Sequence, residues 1–224
     1  MATEPVISVR GEAVLEVEPE IAIVWVSVLA RDKDRQRAVK LLADRNARVT
    51  AQIKGYGDAV EKLDSGMVTV RPEFKDGKAR ERITGYVAQA NLTATVKDFA
   101  VLGDLVVGLA DREMVAVTGP TWQLRPGSPV HRKARLAAVA DATQRGREYA
   151  EAFGGTITGL IEAADTGLLA PQPEPGVLRA GLAAPAAVAQ AYQAAPEFDF
   201  EPAKQTVCAE IEARFTMTAP SFGR

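Results

Sequence analysis

Ile21-Ala-Ile-Val-Trp-Val-Ser-Val-Leu-Ala30 decides how this chain folds, because apolar residues fill both its odd and its even positions. A strand apolar on both faces predicts a central place in a sheet, or a second face covered by a helix or by another subunit. The stretch before it behaves differently. Over residues 7–17 the apolar side chains fall on Ile7, Val9, Ala13, Leu15 and Val17, with Ser8, Arg10, Glu12 and Glu16 between them. That is the period of a half-buried strand. Pro19 and Glu20 make the turn that joins the two.

Downstream the period switches repeatedly. Residues 31–55 predict a helix, since Ala38, Leu41, Leu42, Val49 and Ile53 recur at helical spacing among charges. Asp32 or Asp34 caps its start, and Gly55 with Gly57 marks its stop. A strand over 67–74 ends in the turn signal Lys75-Asp-Gly77 and forms a hairpin with the strand that follows. In that second strand Thr84, Tyr86, Ala88, Ala90, Leu92, Ala94 and Val96 share one face. Asp98 caps a short helix bearing Phe99, Leu102, Leu105, Val106 and Leu109, and residues 114–124 return to strand character.

Ser128-Pro129 is an N-cap followed by proline at the first helical position, opening a long alanine-rich helix that ends at Gly154-Gly155. Residues 156–162 read as a short strand. Composition then shifts to proline and alanine over 164–204, which predicts a long loop or arm, a kind of segment that is uncommon inside compact domains. A final amphipathic strand spans 206–218, with Val207, Ala209, Ile211, Ala213, Phe215 and Met217 inward and Cys208, Glu210, Glu212, Arg214 and Thr216 outward. Such a strand needs a sheet to join. The order of elements predicts an α+β fold, a mixed and largely antiparallel sheet with helices packed on one face. Residues 1–163 and 205–220 are assigned to one domain, and 164–204 to an arm inserted before the last strand.

Composition narrows the function classes. Lysine and arginine total 27 against 29 acidic residues, so the whole-molecule field does not draw the chain to nucleic acid or anionic lipid. Cys208 is the only cysteine and His131 the only histidine. An intrachain disulfide is excluded, and a Cys/His zinc site lacks its ligands. No apolar stretch approaches the roughly 20 residues of a spanning helix. Met1-Ala-Thr-Glu-Pro5 has no leader character, so the residues read as a soluble cytoplasmic protein, or a periplasmic one if a leader has been removed.

The candidate chemistry is sparse. Gly55-Tyr-Gly57 and Phe153-Gly-Gly155 read as helix stops, not phosphate cradles. His131 with Arg132, Lys133 and Arg135 is an anion or nucleic-acid contact or, more simply, a solvated helix face. Cys208 is a redox-sensing thiol or a small packing residue. Glu16, Glu18 and Glu20 read as a solvated face, and Asn91-Leu-Thr93 matches a glycosylation sequon that needs secretion to matter. No catalytic, cofactor-binding or metal-binding residue is assigned. Trp25, Tyr86 and Trp122 are core residues or, on a second reading, the lining of a small-ligand pocket between sheet and helices.

Several stretches together resemble the SIMPL-domain family, also called DUF541. They are Val6-Ile-Ser-Val-Arg-Gly11, Pro19-Glu-Ile-Ala22, Ile83-Thr-Gly-Tyr-Val-Ala-Gln-Ala-Asn91, Arg135-Leu-Ala-Ala-Val-Ala-Asp-Ala-Thr-Gln-Arg-Gly-Arg147 and Ala152-Phe-Gly-Gly155, followed by Glu201-Pro202 and the last strand. The resemblance implies a SIMPL-like α+β fold, no enzyme activity, no cofactor and a homo-oligomeric assembly, with exported bacterial relatives, some immunogenic or tied to oxidative-stress defence. The expected role is therefore an assembly or scaffold protein, stress-related by resemblance. The expected partners are further copies of the chain, with neither nucleic acid nor an integral membrane segment; the alternative is a small-ligand binding module.

Overall fold

The computed structural model describes residues 4–75, 82–168 and 200–221. Seven strands and three α-helices follow one another as β1 (Val6–Val17), β2 (Ile21–Asp32), α1 (Arg35–Lys54), β3 (Val60–Lys75), β4 (Arg82–Val96), α2 (Leu102–Ala110), β5 (Val115–Gln123), α3 (Pro129–Ala152), β6 (Ile157–Ala164) and β7 (Gln205–Met217). The α+β class stands, and every strand pairing is antiparallel. The strands divide between two sheets, ordered β3-β4-β2-β5 and β1-β7-β6. Two compact units result, one holding β2 to β5 with α1 and α2, the other β1, α3, β6 and β7. Most of the proline- and alanine-rich stretch, and the expected Lys75-Asp-Gly77 turn after Lys75, lie outside the described residues.

In the four-stranded unit β2 lies between β4 and β5, the central place its sequence predicts. Ala22, Val24, Val26, Val28 and Ala30 form one fully buried row with Ala88, Ala90, Leu92, Ala94 and Val96 of β4 beside it. Over that face lie Ala38, Leu42, Val49 and Ile53 of α1 and Leu102, Leu105 and Leu109 of α2. Each such leucine or isoleucine contributes about 1.5–3 kcal/mol by leaving water. α1 starts where Asp34 accepts a hydrogen bond from the Arg37 amide at 2.9 Å, so Asp34 and not Asp32 is the cap. The other face of β2 is only partly covered, and Trp25 there remains 40% exposed.

In the three-stranded unit the register sets Ile7 opposite Phe215, Val9 opposite Ala213 and Leu15 opposite Val207, so the inward residues of both strands share the face that α3 covers. α3 meets that face with Ala134, Ala138, Ala142, Gly146 and Ala150, one small residue every turn. Small side chains permit a close approach. A Cβ on Gly11 of β1 would collide with the Ala138 carbonyl oxygen and lie 2.6 Å from Ala142 Cβ. A Cβ on Gly146 would lie 3.0 Å from the Phe215 ring. The helix therefore seats by fit, not by a broad stripe of large apolar residues.

β1 differs from its sequence reading in one respect. The Pro19-Glu20 turn joins strands of two different sheets, because β1 spends its hydrogen bonds on β7 while β2 spends its own on β4 and β5. β3 also begins seven residues before the expected strand over 67–74, at Val60. Bulges at 60/62 and 65/68 break its alternation and hide the first half from a periodicity reading.

Candidate binding surfaces

The residues singled out from sequence are dispersed. His131 is half-buried in the first turn of α3, where Ser128 Oγ caps the Val130 amide at 3.3 Å, while Arg132, Lys133 and Arg135 are exposed. Cys208 is exposed on β7, opposite Val14. Glu16 is exposed on β1. Glu20 instead accepts a hydrogen bond from the Arg125 amide at 3.1 Å and pairs with the Arg125 guanidinium at 3.6 Å. Arg125 also donates to Glu61. That hydrogen bond from Arg125 holds the Glu61 carboxyl below the usual carboxylate range. It likewise keeps the Arg125 guanidinium protonated beyond its ordinary range.

Asn91 faces away from α1 and α2, its Oδ1 accepting from Gln89 Nε2 at 3.2 Å. Gly57 and Gly154 follow helix ends at positive φ, +57° and +72°, which fits the helix-stop reading of both glycine pairs. Trp122 packs edge-on against Phe99, with ring centroids 4.8 Å apart, and with Tyr86 it borders the core. Trp25 points to the opposite face of the sheet, so the three aromatics do not line one pocket. No group of three or more metal-ligating side chains occurs among the described residues.

Two features were not foreseen. The first is a cleft of 220 Å³ in the four-stranded unit, lined by Arg45, Arg48 and Val49 of α1 and by Arg112, Glu113 and Val115 at the entry to β5. Arg45 Nη1 donates to the Leu29 carbonyl oxygen at 2.9 Å, and its Nη2 lies 3.5 Å from Glu113 Oε1. Arg112 Nε donates to Gln52 Oε1. Arg45 and Arg48 lie one turn apart in sequence, but only the fold sets Arg112 beside them.

The second is β6, the edge of the three-stranded sheet. Not one of its residues is buried, and Leu160 and Ile161 are 60% and 52% exposed. Register shifts against β7 leave Thr158 and Ile161 as extra residues in the pairing, though Thr158 Oγ1 still donates to Thr216 Oγ1 of β7 at 2.8 Å. Bulges bend and twist an edge, but here one of the extra residues is an exposed isoleucine.

Comparison with known proteins gives concordant findings. A family model described as "SIMPL: Protein of unknown function (DUF541)" matches residues 7–215. The 26 kDa periplasmic immunogenic protein of Brucella melitensis is 28% identical over 174 residues, covering 74% of this chain and 68% of that protein. Its Brucella abortus counterpart matches to the same extent. The Escherichia coli (strain K12) protein named "Uncharacterized protein YggE" is 24% identical over 197 residues, covering 87% of this chain and 80% of its own. None of these descriptions names a catalytic activity. The cytoplasmic expectation gains no support, since the Brucella relatives are named as periplasmic. Among the described residues no helix is long and apolar enough to cross a membrane.

Proposed function

The chain belongs to the SIMPL (DUF541) family, and from that premise we propose that it is a non-catalytic subunit of a homo-oligomer, working in the periplasm and joined through the free edge of β6. One observation carries the reading. On the side away from β7, β6 has no strand partner among the described residues, which leaves backbone N–H and C=O groups open beside exposed Leu160 and Ile161, and no lysine or proline interrupts its sequence Ile157-Thr-Gly-Leu-Ile-Glu-Ala-Ala164. Natural edge strands are guarded by lysine, proline, charge or bulges; β6 carries Glu162 and two bulges yet keeps two large apolar side chains exposed, and an exposed apolar edge is a template for another strand. A second copy of β6 supplies one of matching length, and antiparallel pairing would continue the β1-β7-β6 sheet across a two-fold axis.

The dispersal of the nucleophile and acid/base candidates among the described residues supports the non-catalytic part. His131, Cys208 and Glu20 lie on separate elements, and Glu20 is committed to Arg125. The periplasmic location rests on the printed names of the Brucella relatives.

The test is a pair of edge variants, Leu160→Lys and Ile161→Lys, examined by light scattering beside the unaltered chain. Both side chains are exposed, so the variants keep their fold and their circular dichroism. The reading predicts a smaller particle for both. Unchanged mass in both variants would remove β6 from the interface.

A further inference from the structure

We propose that the cleft between α1 and the entry to β5 is a binding site for a small oxyanion, a phosphate or carboxylate group, gripped by Arg45, Arg48 and Arg112. Three guanidinium groups and one carboxylate line it, an excess of positive charge in a confined space. The single acid offers weak competition, because the Glu113 side chain is 85% exposed and 3.5 Å from Arg45. The Arg48 guanidinium has no hydrogen bond or ion pair among the described residues.

The other two arginines are oriented in advance. Arg45, only 19% exposed, is fixed by the Leu29 carbonyl through one amino nitrogen. Arg112 is fixed through Nε by Gln52, which leaves both of its amino nitrogens as donors. Guanidinium forks match carboxylate and phosphate oxygens in pairs, and anchoring them beforehand reduces the entropy lost on binding. The loop between Arg112 and Val115 is itself constrained. Met114 takes φ +63°, the one non-glycine residue at positive φ among those described, and its carbonyl accepts from the Leu29 amide at 2.8 Å. Backbone held in a sparsely populated region is enriched at ligand sites.

Size and lining set the ligand class. Drug-sized pockets run roughly 300–1,000 Å³, and this one is 220 Å³, so the ligand is small. Val49 and Val115 give it an apolar wall, suited to a short carbon skeleton bearing the anionic group. The site lies in the four-stranded unit and β6 in the other, so separate variants test the two proposals.

Isothermal titration of the full chain with inorganic phosphate, and separately with citrate, at constant ionic strength tests the proposal. Saturable binding of at least one anion is expected, and the arm that responds identifies phosphate or carboxylate as the preferred group. Arg48→Ala and Arg112→Ala should each weaken it about tenfold, as loss of a charge-assisted hydrogen bond does, and the double variant should abolish it. Both side chains are exposed, and an unchanged thermal midpoint without ligand verifies the fold. Ile161→Lys should bind as the unaltered chain does, which separates this site from β6. No saturation by either anion, or affinity that survives the double variant, would overturn the proposal.

Discussion

Arg45 supplies the donor that β5 does not provide for the Leu29 carbonyl. β5 begins at Val115, and the Leu29 amide is met by the Met114 carbonyl at 2.8 Å; the Leu29 carbonyl beside it accepts instead from Arg45 Nη1 at 2.9 Å. A side chain of α1 thus completes the backbone bonding of the central strand and ties the helix to the end of β2. Removing it leaves a carbonyl without that donor. Arg45→Ala should cost about 1–3 kcal/mol in urea unfolding. Arg48→Ala, at an exposed side chain with no ion pair among the described residues, should stay within about 0.5 kcal/mol.

Gly11 is required by the approach of α3. A methyl group there has no space beside the Ala138 carbonyl and Ala142, and neither backbone nor an alanine Cβ can rotate out of the way. Gly11→Ala should destabilise the chain by about 1–3 kcal/mol, the usual cost of overpacking. Unfolding monitored through α3, by helical circular dichroism, would measure it. A neutral result would mean that the helix can lift from β1 at no cost.

Asp34 provides a smaller and cleaner effect. Its carboxylate satisfies the Arg37 amide at the exposed start of α1. Asp34→Ala should lower stability by about 1 kcal/mol, visible as a reduced thermal midpoint, and Asp34→Ser should recover most of it.

The Glu61–Arg125 pair predicts a dependence on acid. The hydrogen bond from Arg125 lowers the folded-state pKa of Glu61, burial acts in the opposite sense, and the charges of Arg125 and Lys97 add to the lowering. A carboxyl depressed on folding stabilises the protein above its unfolded pKa, and that contribution disappears as pH falls through the folded value. The stability gap between the unaltered chain and Glu61→Gln should therefore be constant around neutrality and close as pH drops below the ordinary carboxylate range. A gap that widens in acid would reverse the assignment.

Much of the architecture is legible in the residues. The two-sided apolar run of β2 predicts its central position, and alternation identifies the buried faces of β7 and of β4 from Ala88 to Val96, whereas Thr84 is exposed and Val87 on the other face of β4 is buried. Asp34 and Ser128 declare the starts of α1 and α3 through local chemistry. Strand partnership is not local. Ile7 pairs with Phe215 across almost the whole chain, and nothing in the Pro19-Glu20 turn announces that β1 and β2 part company. The cleft was hidden for the same reason, since Arg48 and Arg112 become neighbours only when α1 and the end of α2 converge on the core. The exposure of Leu160 and Ile161 likewise follows from the edge position of β6, which its short apolar sequence does not reveal.

The solution mass of the unaltered chain, measured by sedimentation velocity across a dilution series at micromolar concentrations, tests the assembly most directly. Self-association through β6 predicts a particle at a multiple of the 23.9 kDa chain mass, falling toward that mass in the Ile161→Lys variant. A single species at the chain mass throughout the series would contradict it.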